Sequence, residues 1–411
     1  MPPEDVRVAV CKEVEMRYTA NLNVHEEISQ LNSIHNLVAP VNSLPPELLI
    51  MFFSLAGDDL VSVTHVCRHW RNVALHAPGL WTHVGHTSPE GVNTYLRRSK
   101  GLPLDISLTV LEIPTASTLR AITAEIHRTR RLRVTLPPSA GLRLVTQSLM
   151  LLSPQLEVLS IRDCGSPLGV VPPSLRTPSP SRRRPGDFDG APLLRSLALH
   201  SVPLPYLPRG SSLLTNIELT GKECVGDALL LLDLLERSPA LERLKICGPF
   251  NHRGLVPDPR RTVPLPRLKR LELHGGLMKG AGTFLASLVL PAQTDITLHT
   301  EWNPMQLPLA DFIPAFDPGN VKLHSLQGLK QLELSWGYGY GGLSLRAYRH
   351  SEDFIAPVLD LQVYGKEPPD ERFLTNWPVD VSHLETLVIC GGTTSGRRSL
   401  WARDDHGITQ E

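Results

Sequence analysis

Few residues in this chain have the types and spacings that chemistry demands. Gly337, Gly339 and Gly342 form a G-x-G-x-x-G after a strand-like segment, that of Leu329-x-x-Leu332-x-Leu334. A dinucleotide site uses such glycines to bring backbone against pyrophosphate, but Tyr338 and Tyr340 would crowd that approach. The segment also ends one member of a repeating strand pattern, where a turn is needed in any case. His65 and His69 lie one helical turn apart and share a face, whereas Cys67 points elsewhere and no fourth ligand is near. Structural zinc takes four convergent ligands, so no metal is expected. No G-x-S-x-G, phosphate-binding G-x-x-x-x-G-K-[ST] or H-E-x-x-H occurs. Hydrolase and nucleotidase chemistry therefore lack an anchor. No catalytic residue and no cofactor is expected, and the chain reads as a non-enzyme.

The chemistry left is recognition. The 411 residues carry 41 Lys+Arg and 41 Asp+Glu, a net charge of zero, so no global field draws nucleic acid or anionic membrane. No apolar run is long enough to span a bilayer, and the charged start has no secretory core. Exclusion leaves an intracellular chain, cytoplasmic and/or nuclear. The six cysteines are scattered without a C-x-x-C pair, as expected of buried, reduced thiols. Leu is over-used and the 37 Pro are many, so short Leu-patterned elements broken by turns are expected.

Four stretches follow from patterning. Residues 1–42 are polar, with Val24, Ile28, Leu31, His35 and Val38 on one helix face, expected to pack as a lead-in. Residues 43–86 form a compact helical module. Ser43 fits a helix cap before Pro45, Pro46 and Glu47. Leu48, Leu49, Phe52, Phe53 and Leu55 follow, and Gly57 stops the helix. Asp58 or Asp59 then caps a second helix bearing Leu60, Val63, Val66, Cys67 and Trp70, and a third ends near Ala74 before Pro78-Gly79 turns the chain to Leu80-Trp81. Three helices this short cannot bury so much apolar surface alone. Residues 87–392 form a repeat array and 393–411 a polar tail.

The order Leu44-Pro45-x-Glu47-Leu48, Asp59-Leu60, Val66-Cys67-Arg68-His69-Trp70-Arg71 and Leu80-Trp81 resembles an F-box. The resemblance implies docking to a Skp-type adaptor, and through it to a cullin–RING ubiquitin ligase whose other subunits do the chemistry. An exposed apolar cluster on short helices suits that docking independently, since a few large anchors dominate such interfaces. The adaptor-facing candidates are Leu44 and Pro45 at entry, Leu48, Phe52, Val63 and Val66 as anchors, and Leu49, Leu60 and Trp70 beside them. Trp70 and Trp81 are expected to hold the module together.

In the array, L-x-x-L-x-L segments recur from Leu156, Leu194, Leu214, Leu241, Leu268, Leu329 and Leu384, with weaker members at Ile296-x-Leu298 and Leu361-x-Val363. Two successive intervals, Leu214 to Leu241 and Leu241 to Leu268, are 27 residues. Such a period resembles the degenerate leucine-rich repeats of F-box proteins, many of them fungal. The fold class implied is α/β: a small N-terminal three-helix F-box, then an irregular leucine-rich-repeat solenoid with a parallel, horseshoe-like sheet. Leu104–Leu108, a helix through Leu119, Ile122 and Ile126, and Leu132–Val134 are expected to start it. An amphipathic run Val225, Ala228, Leu229, Leu232 and Leu235 would be one return segment. Residues 165–191, with Arg182-Arg183-Arg184 and Ser179 and Ser181, read as a flexible Pro/Arg-rich insertion.

Alternate strand residues face away from the core, where such arrays bind partners. Arg243, Lys245, Arg270, Glu272 and Glu333 are the target-binding candidates, with Arg243 beside Arg270 and Lys245 beside Glu272. The face carries both signs, which suits a protein target rather than nucleic acid. The function expected is substrate recognition within an SCF-type ubiquitin ligase, the alternative being a scaffold outside the ligase.

Overall fold

A computed structural model describes residues 39–85, 89–109, 116–136, 154–164, 191–202, 213–221, 228–248, 261–275, 281–301, 323–336, 343–349, 357–364, 383–390, 398–404 and 407–410, with parts of 12–36. The chain forms two compact units, residues 1–104 and 105–411. No described helix is long and apolar enough to cross a membrane.

The first unit is helical. After helix α1, described over residues 23–30, come a 3-10 turn Pro40–Ser43, α2 (Pro46–Leu55), α3 (Leu60–Val66), α4 (Arg68–Leu75), a 3-10 turn Pro78–Trp81, the short strand β1 (His83–Val84) and α5 (Pro89–Arg98). Proline at the first position of α2, followed by Glu47, sets a fixed φ and a favourable charge where the helix begins. The cap differs from expectation: Pro45 holds that position without a side-chain bond, and the Ser43 hydroxyl donates back to the Pro40 carbonyl at 2.6 Å. Asp59 likewise precedes α3 without bonding its amides. Gly57 takes φ of +55° just after α2, a conformation natural to glycine. Cys67 is extended between α3 and α4, and its sulfur accepts the Trp70 amide proton at 3.4 Å. The same junction is tied by Arg71, whose Nε donates to the Thr64 carbonyl at 2.8 Å.

Two expectations change. Val24 and Ile28 of α1 are exposed rather than packed. The unit also runs past residue 86, because α5 contributes buried Val92, Tyr95 and Leu96 to it.

The second unit is a large, mostly parallel sheet. It begins with β2 (Leu104–Thr109), helix α6 (Ala116–Ala124) and β3 (Thr129–Leu136). Then come β4 (Val158–Asp163), β5 (Ser196–His200), β6 (Asn216–Thr220), β7 (Arg243–Cys247), β9 (Arg270–Gly275) and β11 (Asp295–Glu301), each parallel to the one before from β3 onward. Each L-x-x-L-x-L supplies one strand, and its apolar positions are in register: Leu197, Ile217, Leu244, Leu271 and Ile296 sit side by side, all buried. Period-two alternation explains this directly. The leading leucines, such as Leu214, Leu241 and Leu268, are buried too.

Between strands the chain returns through the helix Ala228–Glu236, the helix Ala281–Ala286 and the paired short strands β8 (Val263–Pro264) and β10 (Leu288–Val289). In Ala228–Glu236 the buried residues are Leu231, Leu232, Leu234 and Leu235, while Leu229, expected inside, is exposed.

Past β11 the sheet is not the simple parallel series expected. β14 (Leu359–Tyr364) lies parallel beside β11, and β13 (Leu343–Tyr348) is antiparallel to both β14 and β12 (Gln331–Trp336). β15 (Thr386–Cys390) is parallel to β12. The polar tail is structured: β16 (Arg398–Asp404) and β17 (Gly407–Gln410) add antiparallel strands after β15, Trp401 standing opposite Leu387. Among the described cysteines Cys164 is exposed and Cys67 and Cys247 half-buried, so full burial does not hold for them. Ser179, Ser181 and Arg182–Arg184 lie outside the described residues.

A row of glycines closes the strand ends. Ser201, Gly221 and Gly248 follow β5, β6 and β7, and Gly275 ends β9 at the equivalent position; the Gly221 amide donates to the Cys247 carbonyl (2.6 Å) and that of Gly248 to the His274 carbonyl (2.7 Å). A Cβ at Gly248 would stand 2.6 Å from the Gly221 carbonyl oxygen, a backbone atom that cannot swing aside. Gly221 has φ of +108°, disfavoured for any side chain. Gly248→Ala is therefore expected to destabilise the second unit by about 2 kcal/mol, read as a lower urea midpoint with an unchanged denaturant slope. A midpoint equal to that of the parent would show that the neighbouring backbone shifts freely.

Candidate functional site

On α2, Leu48, Met51, Phe52 and Leu55 are spaced i, i+3, i+4 and i+7, which sets them along one face. All four are exposed, Phe52 at 51% and Leu55 at 79%. The other face carries Leu49 and Phe53, both buried, with the Phe53 ring 5.1 Å from that of Trp70. Val61 and Val66 of α3 add exposed apolar surface, and Val63 is half-buried. Leu44 is half-buried and Pro45 exposed.

Leu49 and Leu60 thus leave the set of candidate contacts. At 1% and 2% exposure they are core residues that shape the module from inside. Met51, Leu55 and Val61 take their place. The α2 pair was legible as the completion of the Leu48/Phe52 spacing, but exposure in a helix this short depends on which face its neighbours cover.

The module is pinned by its tryptophans. Trp81 is fully buried, and its indole N–H donates to the Ala74 carbonyl at 2.8 Å. Tyr95 meets it edge-on at 4.9 Å, and the Arg98 guanidinium lies 4.3 Å from the ring centroid. Burial, and then neighbouring Arg97, pull the Arg98 guanidinium below its usual range. That loss of solvation strengthens the attraction to an aromatic face. The Trp70 indole N–H donates to Asn42 Oδ1 at 2.6 Å, tying the 3-10 turn Pro40–Ser43 to α4.

On the second unit the outward strand residues form polar rows across the sheet. One runs Asn216, Arg243, Arg270 and Asp295 in direct register. The next runs Glu218, Lys245, Glu272 and Thr297, and further along holds Asp360, Arg346 and Glu333. So Arg243 stands opposite Arg270 and Lys245 opposite Glu272, as the spacing predicts. The second row largely neutralises itself. Lys245 Nζ is 3.3 Å from Glu218, and Arg346 is 3.5 Å from Asp360. Burial works against the Lys245 charge, but Glu218 prevails and its pKa is raised. Glu333 faces Arg346 and accepts from the Tyr348 hydroxyl at 3.4 Å.

The third row is His200, Thr220, Cys247, His274 and His299, with the last two rings edge-to-face at 4.6 Å. Burial, then the adjacent His299, lowers the His274 pKa, and Glu272 at 3.5 Å opposes this. Burial, then Arg162, lowers that of His200. In the unfolded chain both rings take up protons at higher pH than in the folded one. Their contribution is therefore full above the ordinary histidine range and is lost as pH falls. Acidification toward pH 5 is expected to lower the melting temperature, and His200→Gln/His274→Gln to flatten that dependence. An equal slope in the variant would assign the acid sensitivity elsewhere.

The segment 337–342 lies outside the described residues, but its flanks are informative. Trp336 pairs with Leu343 across two antiparallel strands, whereas a dinucleotide fingerprint must lead into a helix. Among the described residues no group of three His, Cys, Asp or Glu is placed to hold a metal ion.

A family model described as F-box-like matches residues 41–87, the segment that carries α2, α3, α4 and Trp81. Neither curated proteins nor solved structures returned a match to the chain.

Proposed function

We propose that this chain is the target-recognition subunit of an SCF-type ubiquitin ligase. Its F-box-like segment docks to a Skp-type adaptor through the exposed α2 face, and the sheet of the second unit, read as an irregular leucine-rich-repeat array, receives the protein to be modified. The observation that carries the reading is the apolar stripe Leu48, Met51, Phe52 and Leu55, exposed within an F-box-like segment. A surface of this kind is stabilised when a partner groove covers it, with each large anchor contributing roughly 1.5–3 kcal/mol.

On this reading the chain performs no bond chemistry. It holds a target beside a charged conjugating enzyme, raising local concentration and orienting the target's lysines. The mixed charge of the outward rows suits a protein target rather than nucleic acid. Affinity purification of the full chain tests this. Adaptor and cullin should co-purify, and proteins that accumulate on the bait under proteasome inhibition should be candidate targets. Adaptor without cullin would instead favour a scaffold outside the ligase, and loss of both would sink the reading.

A further inference from the structure

We propose that Lys100 is the residue at which ubiquitin becomes joined to this chain itself when the chain stands in its ligase. The proposal rests on the reading of the first unit as an adaptor-docking module, and it adds a modification site and the chemistry that selects it.

A chain held beside a ubiquitin thioester exposes its own amines to the same acyl transfer as those of its target. This sequence offers few. Of its 41 basic residues only 9 are lysine, and a guanidinium, protonated at any working pH, does not take the acyl group. Three of the described lysines are held by carboxylates: Lys245 by Glu218 at 3.3 Å, Lys269 by Glu242 at 2.9 Å and Lys330 by Glu385 at 2.7 Å. An ion pair favours the ammonium form, whereas attack needs the free amine. Lys12 is exposed in a helical stretch, with Glu15 three residues on. Lys222, Lys279, Lys322 and Lys366 lie outside the described residues.

Lys100 differs in its backbone as well as its surroundings. It is exposed and, among the described residues, forms no salt bridge. The Leu102 amide donates to the Ser99 carbonyl at 3.0 Å, which makes Lys100 and Gly101 the two central residues of a tight turn after α5, with φ of +50° and +82°. Positive φ at both positions is the pattern of a type I′ turn, filled elsewhere by asparagine, aspartate or glycine. A lysine kept in this sparsely populated conformation points to use rather than to stability. Leu96 and Ser99, both buried, anchor the base of the turn, so the amine is carried at its tip. Lys100 first gives a proton to solvent. Its lone pair then attacks the thioester carbonyl between ubiquitin's C-terminus and the conjugating enzyme's cysteine. The amide C–N bond forms, the C–S bond breaks, and the cysteine leaves as the thiolate while the second amine proton passes to solvent.

The test uses the full chain with purified adaptor, cullin–RING subunits and a conjugating enzyme charged with ubiquitin, without a target. Digestion and mass spectrometry then map the lysines that carry ubiquitin. Lys100 is expected to carry most of it, and Lys100→Arg, which keeps the charge, should lower self-modification by about fivefold or more with adaptor binding unchanged. Acylation of the chain alone by an N-hydroxysuccinimide ester should modify Lys100 about fivefold faster than the ion-paired Lys245, Lys269 or Lys330. Ubiquitin found mainly on another lysine, a yield undiminished in Lys100→Arg, or equal acylation of the four amines would overturn the proposal. Co-elution of adaptor and cullin is scored on the same sample. Its absence would defeat the docking reading and this proposal with it, whereas its presence with no ubiquitin on Lys100 overturns this proposal alone.

Discussion

Phe52→Asp/Leu55→Asp should abolish adaptor binding, weakening it at least a thousandfold, while leaving the melting of the chain almost unchanged. The two side chains are 51% and 79% exposed in the free chain, so removing them costs the fold little; surface changes of this kind stay within about 0.5 kcal/mol. At an interface the same positions lose two apolar anchors worth about 1.5–3 kcal/mol each and bring two charges into a desolvated groove. A loss above about 4 kcal/mol corresponds to that thousandfold change. The matched control is Leu49→Ala, one residue from Leu48 but buried. It should destabilise the module by about 2–5 kcal/mol and weaken binding only as far as it unfolds. Binding by co-purification and by titration with purified adaptor distinguishes the two. Tight binding by the Asp pair would show that the docking face lies elsewhere on the module.

Trp81→Ala should cost the first unit about 3–5 kcal/mol, the range for truncating a large buried aromatic. Beyond the cavity, it removes the indole hydrogen bond to Ala74, the edge contact with Tyr95 and the aromatic face under Arg98. The Arg98 charge, already partly desolvated, would then sit over a void. Trp81→Phe, which keeps an aromatic ring but no donor, should lose much less, about 1–2 kcal/mol. Because the chain has two compact units, one melting curve would blend them. Amide exchange in α4 and α5 is the cleaner readout, and it should speed by two to three orders of magnitude in Trp81→Ala. Unchanged exchange there would mean that the tryptophan does not hold these helices.

How much of this was legible beforehand follows from the range of the interactions concerned. The helix α2 and its break at Gly57 rest on proline, glycine and apolar spacing within a few residues and appear where those signals put them, but the second helix, whose spacing ran on through Cys67 and Trp70, ends at Val66: Cys67 is extended and Trp70 belongs to α4. The strands rest on the same kind of local alternation. Arg243 beside Arg270 and Lys245 beside Glu272 could be read in advance because equal offsets within repeated segments become direct neighbours once the segments pair in register. Capping was less legible: Ser43 has the right side chain for the task, yet its hydroxyl finds the Pro40 carbonyl instead. Of the docking candidates, Leu48, Phe52 and Val66 are exposed, whereas Leu49 and Leu60 are inside. A ten-residue helix that is apolar nearly all round gives no period from which to choose a face.

The amino-acid order by itself determined the division of labour between a short helical module and a Leu-patterned sheet, since both depend on periodicities of two and about 3.6 residues along the chain. Only the tertiary structure decided which apolar side chains stay exposed, that β14 and β13 stand between β11 and β12, that the tail adds β16 and β17 beyond β15, and that Gly221, Gly248 and Gly275 must lack side chains. Each of these is set by contact between segments distant in sequence, and a side chain's own neighbours along the chain carry no record of what will pack against it.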